Sequence, residues 1–162
     1  MGLNLLIADD NSDAVDTLAK LVGFWGHDAR VAYDGLGALH EARRLPFDVG
    51  LFDVGMPKLD GYELVRQLRQ EQVVDEAFLI AITAYSDKGF EEQSASAGFD
   101  LHLVKPVAPQ LLKDTLAFIE SATLERLALQ RAIEEHRRLR LEMRKSLAEL
   151  CQAGAALRAW EA

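Results

Sequence analysis

Short apolar runs and amphipathic stretches alternate along roughly the first 120 residues of the chain. LNLLIA (3–8), ARVAY (29–33), VGLF (49–52), FLIAIT (78–83) and LHLV (101–104) are mostly apolar and bounded by Asp, Gly or Pro. Runs this short that do not alternate read as strands buried on both faces, the situation of parallel strands covered by helices. Between them the period changes to that of a helix. In 13–25, Ala14, Leu18, Leu21, Val22 and Trp25 share one face, with Asn11 or Ser12 placed as N-cap and Gly26 as C-terminal stop. Stretches 36–45, 61–71 and 88–97 repeat the pattern, and a fifth helix opens at Pro109, whose fixed φ suits a first turn. Strict alternation of five strands and five helices predicts an α/β fold with right-handed crossovers and helices on both faces of a parallel sheet. Ligands of such sheets sit beyond the carboxyl ends of the strands, where strand order reverses.

That rule directs attention to five residues. Asp9 and Asp10 follow the first strand, Asp53 ends the third, Thr83 the fourth and Lys105 the fifth. Singly, each is an ordinary turn former or helix cap. Together they put three carboxylates, a hydroxyl and an ammonium on one rim. Gathered carboxylates raise one another's pKa, so the cluster asks for a counter-charge. Mg2+ takes oxygen ligands in an octahedron and retains waters, which suits two carboxylates and a carbonyl. The same ion can bridge to a phosphoryl oxygen, leaving a carboxylate to attack phosphorus while Lys105 and Thr83 hold the remaining oxygens. The set has the chemistry of phosphoryl transfer to a carboxylate.

Composition narrows the partners. The 162 residues carry a net charge of -8, against nucleic acid as a partner of the whole chain. The charge divides: residues 1–120 hold 10 Lys/Arg and 20 Asp/Glu, residues 121–162 hold 8 and 6. Two segments with different roles are implied. A single Cys, Cys151, excludes a disulfide framework within one chain, and no apolar run approaches the roughly 18 residues of a membrane span. MGLNLLIADD has no basic n-region, so a cytoplasmic location is expected.

The acidic pair Asp9-Asp10, FDVGMPKLDGYEL (52–64), ITA (82–84) and LVKP (103–106) stand in an order and spacing that resemble the receiver domain of two-component response regulators. The resemblance covers residues 1–120. It implies a flavodoxin-like, doubly wound five-stranded parallel sheet of order 2-1-3-4-5. It also implies that Asp53 is the phosphoacceptor, that Asp10 and Asp53 bind Mg2+ directly with the Gly55 carbonyl, and that Asp9 assists through water. Thr83 and Lys105 would contact the phosphoryl group, with a cis Lys105-Pro106 bond. The partner implied is a histidine kinase or a histidine phosphotransfer protein, and the role is a switch that assists its own phosphorylation and slow dephosphorylation rather than a metabolic enzyme. The switch position three before the Lys, usually Tyr or Phe, is His102, which is expected to lie as an exposed or partly buried polar ring on the fifth strand, the alternative being a ring that rotates inward as a pH-sensitive switch. Gly55 and Tyr85 would flank the route of water to the phosphoryl group.

Residues 121–162 continue the fifth helix without Pro and with only Gly154, rich in Ala, Leu, Glu and Arg. Leu129, Ile133, His136, Arg140, Met143, Leu147 and Leu150 recur at spacings of three and four, a coiled-coil seam interrupted by His136 and Arg140. A parallel homodimer is expected through this helical extension; the alternative is a linker to an output module beyond it. Arg137, Arg138, Arg140, Arg144 and Lys145 interleave with Glu134, Glu135, Glu142 and Glu149, the pattern of a solvated helix surface. Two rivals to the switch remain. One is a phosphorylation-independent interaction adaptor. The other is a phosphoaspartate hydrolase, which would need a general acid where Gly55 stands.

Overall fold

The structure, a computed structural model, describes residues 2–74, 76–84 and 88–160, with the side chains of 88 and 150–160 outside that description. Tyr85 lies outside the described residues. Two compact units divide the chain, Met1–Glu120 and Ser121–Ala162.

In the first unit the elements run β1 (Asn4–Ala8), α1 (Ser12–Phe24), β2 (Asp28–Ala32), α2 (Gly35–Arg44), β3 (Val49–Asp53), α3 (Gly61–Gln70), β4 (Phe78–Thr83), α4 (Lys88–Ala97) and β5 (Leu101–Val104), followed by α5 (Pro109–Trp160). The five strands form one parallel sheet of order β2-β1-β3-β4-β5. This is the flavodoxin-like topology, and order reverses between β1 and β3.

Pleat alternation sorts the apolar strand residues onto two faces. Leu5 and Ile7 of β1, Val49 and Leu51 of β3, and Ile80 and Ile82 of β4 join Val15 and Val22 of α1 and Leu112, Leu116 and Ile119 of α5. Leu6 and Ala8, Phe52, and Leu79 and Ala81 point the other way, toward α2, Leu64, Val65 and Leu68 of α3, and Ala97. The inward face of α1 is centred on Val15 and Val22, with Leu18, Ala19 and Trp25 packed around them. Ala14 and Leu21 sit at its margin, a rotation of the face expected from periodicity. Asn11 is the N-cap, accepting from the Ala14 N–H at 3.2 Å.

Two arginines fasten helix ends to the sheet. Arg30 of β2 donates to the carbonyls of Glu41, Leu45 and Pro46, satisfying acceptors at the end of α2. Arg69, near the end of α3, donates to the Gly98 carbonyl at 3.2 Å, the Val74 carbonyl at 2.7 Å and the Asp100 carboxylate at 2.8 Å. The same Asp100 oxygen accepts the Leu79 N–H at 2.7 Å. One guanidinium thus joins α3, the entry to β4 and the turn between α4 and β5.

In the second unit, residues 121–160 lie within the helix α5. From residue 128 to 149 every side chain is exposed. None of the described helices is long and apolar enough to cross a membrane.

Candidate functional site

Parallel pairing brings the carboxyl ends of β1, β3, β4 and β5 to one edge, and four short sequences turn there. Asp9 and Asp10 follow Ala8, Asp53 closes β3, Thr83 closes β4, and Lys105 follows Val104. Asp9, Asp10 and Asp53 each present a carboxylate oxygen within 4.8 Å of the others'. Asp9 and Asp53 are buried and Asp10 is exposed, so the cluster opens to solvent on one side.

Lys105 joins the buried pair. Its Nζ lies 2.7 Å from Asp9 Oδ2 and 2.6 Å from Asp53 Oδ1. The remaining oxygens are held by backbone: Asp9 Oδ1 accepts from the Asn11 N–H at 2.9 Å and Asp53 Oδ2 from the Gly55 N–H at 2.7 Å. The ammonium is fixed in turn by its own main chain, whose N–H donates to the Thr83 carbonyl at 2.7 Å, and the Lys105-Pro106 bond is cis. Thr83 itself is buried.

One cation shared by two acids affects the partners unequally. For Asp53, burial is the largest influence and raises its carboxyl above the ordinary value; Lys105 and the Gly55 N–H pull down without overcoming it, and Asp9 adds repulsion. For Lys105, burial works to lower the ammonium, but the hydrogen bonds it donates to Asp53 and Asp9, with their charge, together outweigh it and hold it above its ordinary range. The ammonium collects two attractions while each carboxylate receives a share of one cation.

The loop after Asp53 is built around close approaches. A Cβ on Gly61 would fall 2.4 Å from the Asp53 carbonyl oxygen, so the start of α3 rests directly on the backbone of that residue. A Cβ on Gly55 would fall 3.3 Å from Asp53 Oδ2. Asp60 caps α3 by accepting the Glu63 N–H at 2.8 Å, and Leu59 N–H closes a tight turn onto the Pro57 carbonyl at 2.9 Å. Asp53 is thereby held on a fixed rim rather than on a free loop.

Asp9, Asp10, Asp53, Gly55 and Lys105 therefore meet at one place, with Thr83 on the adjoining strand. His102 stands elsewhere on β5. Its Nδ1 lies 2.9 Å from the hydroxyl of Ser94, which is buried on α4 and donates to the Phe90 carbonyl at 2.8 Å. With its hydrogen committed to Phe90, Ser94 acts as acceptor and the ring nitrogen as donor. Ser94 was not legible beforehand, because a serine in the polar sequence KGFEEQSASA reads as solvent-facing.

The fold and rim define a class, the doubly wound α/β proteins with an acidic site at the strand-order switch. Residues 5–117 match the response regulator receiver domain, and the chain belongs to that family. It is 34% identical over 115 residues to sensor protein EvgS of Escherichia coli K12, covering 71% of this chain and 9% of that protein. The chain thus spans about a tenth of that relative's length. The receiver domain of Francisella response regulator 1452 superposes with a TM-score of 0.71 at 26% identity, covering 75% of this chain and 99% of that one. The receiver domain of sensor histidine kinase PA1611 from Pseudomonas aeruginosa, solved with a magnesium ion in its active site cleft, gives 0.66 at 28% identity over 72% and 95% of the two chains.

Proposed function

We propose that this chain is a phosphorylation switch in which Asp53 accepts a phosphoryl group from a phosphohistidine of a histidine kinase or histidine phosphotransfer protein. The observation that carries the reading is the Asp9, Asp10 and Asp53 cluster bridged by Lys105 at the carboxyl edge of the sheet. Three carboxylates against one ammonium leave two negative charges, which matches a divalent cation, and the exposed side at Asp10 leaves room for its waters. Asp9, Asp10, Asp53 and the Gly55 carbonyl would hold Mg2+. When bound, it neutralises charge on the phosphoryl oxygens.

The chain's own groups do the rest. An Asp53 carboxylate oxygen forms a bond to phosphorus as the P–N bond of phosphohistidine breaks, and the electron pair leaves with the imidazole. Burial disfavours the free Asp53 charge and holds the acid desolvated before attack. Lys105, already 2.6 Å from Asp53, follows the charge onto the phosphoryl oxygens, and the Thr83 hydroxyl donates to another. The phosphoryl group stays on the chain, so the protein is a signalling component and not a turnover catalyst. His102 and Thr83 are the switch residues, a second copy is engaged through the helix after residue 120, and the setting is the cytoplasm.

The test is intact mass after incubation with Mg2+ and acetyl phosphate, on wild type and Asp53→Asn. A gain of one phosphoryl group in wild type alone supports the reading. A gain in both would move the phosphoacceptor elsewhere. A gain in neither, repeated with a phosphohistidine donor, would favour the adaptor.

A further inference from the structure

We infer that α4 is a cover poised to lift from α3, because in its seated position it shuts the Tyr62 hydroxyl away from water with no partner. The inference rests on the switch reading above and adds to it the element that moves and the group that loosens it. Tyr62 is 5% exposed, and among the described residues its hydroxyl is the one buried side-chain oxygen or nitrogen without a hydrogen bond. In water that hydroxyl both donates and accepts. Burial without a partner forfeits those bonds, so the seated arrangement is disfavoured against any in which water reaches the group.

Tyr62 lies on the side of α3 that faces α4. Tyr62, Val65 and Arg69 fall within about 60° of one another around the helix. A Cβ on Gly98, the residue after α4, would fall 3.1 Å from Arg69 Cγ and 3.4 Å from Val65 Cγ1, so this is the face that α4 closes. The Tyr62 ring meets Phe99 edge to face, with centroids 6.3 Å apart and planes at 80°, in the same buried cluster as Ala97. The unpaired hydroxyl thus belongs to an otherwise apolar contact. Both helices leave the rim behind parallel strands, and Tyr62, in the first turn of α3, stands toward the amino end of α4.

The cover is thin. Of residues 89–97 only Ser94 and Ala97 are buried, and both are small, so α4 removes little apolar surface from water. Two polar ties hold it, Ser94 to the His102 ring at 2.9 Å and Arg69 to the Gly98 carbonyl at 3.2 Å, and both lie toward its carboxyl end. No residue from 89 to 93 is buried. A lift of that half admits water to the α3 face and relieves the hydroxyl while both ties stay made. Phosphorylation of Asp53 then has less to supply, since an element disfavoured when seated needs a smaller push to change its population.

Native-state hydrogen exchange on the full chain, without a phosphodonor, tests the cover itself. In wild type the amides of α4 should exchange faster than those of α1, through an opening smaller than unfolding. Tyr62→Phe keeps the ring and removes the hydroxyl, and should slow α4 exchange on the order of tenfold. Exchange of α4 no faster than that of α1 in wild type overturns the inference. So does α4 exchange in Tyr62→Phe that is unchanged or faster, the result a trapped water satisfying the hydroxyl would give. With Mg2+ and acetyl phosphate, α4 exchange should rise in wild type and rise less in Tyr62→Phe. A phosphorylated chain whose α4 exchange does not change overturns this inference and leaves the switch reading standing. A chain that takes no phosphoryl group, from acetyl phosphate or a phosphohistidine donor, overturns the switch reading, and the comparisons made without donor still decide whether α4 is a cover.

Discussion

Replacing Asp53 by Asn isolates what it costs to gather acids at the rim. Burial, the largest influence, raises the Asp53 carboxyl above its ordinary value, in spite of Lys105 at 2.6 Å and the Gly55 N–H at 2.7 Å. Between the unfolded value and the raised folded value the native state binds more protons than the unfolded chain. Stability therefore falls as pH rises through that window and stays lower above it, opposite to a salt-bridged Asp with a depressed pKa. Asn carries no charge and escapes this cost, at about 1.4 kcal/mol for each pKa unit of displacement. Part of the gain is returned, because one carboxylate oxygen becomes an NH2 that cannot accept from Lys105 or Gly55. Lys105 keeps Asp9 at 2.7 Å, so no buried cation is stranded. The expected net gain is about 1 kcal/mol at pH 7.5 without divalent cation. With a urea m-value of about 1–3 kcal/mol/M, the midpoint rises by roughly 0.3–1 M. Urea titration followed by circular dichroism in EDTA, at pH 7.5 and pH 4, measures it. The gain should shrink at pH 4, and Mg2+ should narrow the gap at pH 7.5 by stabilising wild type. A lower midpoint for Asp53→Asn at pH 7.5, or a gain of equal size at pH 4, would refute the reasoning.

Arg69→Ala removes donors from three backbone or carboxylate acceptors and is expected to cost about 2–3 kcal/mol in chemical denaturation, with Arg69→Lys recovering only part because an ammonium cannot span all three. Gly61→Ala drives a methyl against the Asp53 carbonyl, which no side-chain rotation relieves; stability should fall by about 2 kcal/mol, and phosphorylation by acetyl phosphate should slow on the order of tenfold, read by mass spectrometry. Asp60→Ala removes the cap of α3 and should cost about 1 kcal/mol in the same melts, with Asp60→Ser restoring most of it.

The strands were legible because a parallel sheet covered on both faces leaves no polar alternation, and FLIAIT and LHLV match β4 and β5 residue for residue. Helix starts were legible where a capping side chain announces them, as Asn11 does for α1. The inward face of α1 was harder. Ala14 and Val15 are adjacent and both apolar, and only packing against β1 and β3 decides that Val15 is innermost. At the site, the residue types and their strand-end positions were enough to gather Asp9, Asp10, Asp53, Thr83 and Lys105. The division of Lys105 between Asp9 and Asp53 was not, since it depends on where a flexible four-carbon chain comes to rest. The Arg69 and Ser94 contacts were equally hidden. Arg69 joins segments distant in sequence and Ser94 links α4 to β5, and neither residue type distinguishes such a role from an exposed position.

The knot at Arg69 has a mechanical consequence for α4. The guanidinium grips the Gly98 carbonyl immediately after the helix ends and holds Asp100, which accepts in turn from the Leu79 N–H near the start of β4. The carboxyl end of α4 is thereby nailed to the frame that carries the sheet. A displacement of α4 driven from the rim would then be expected as a swing about that end, largest where Lys88 begins the helix and smallest at Ala97. Ser94, one turn from the pivot, would move little in such a swing and would keep its 2.9 Å contact with His102, making the helix a lever with its fulcrum beside β5.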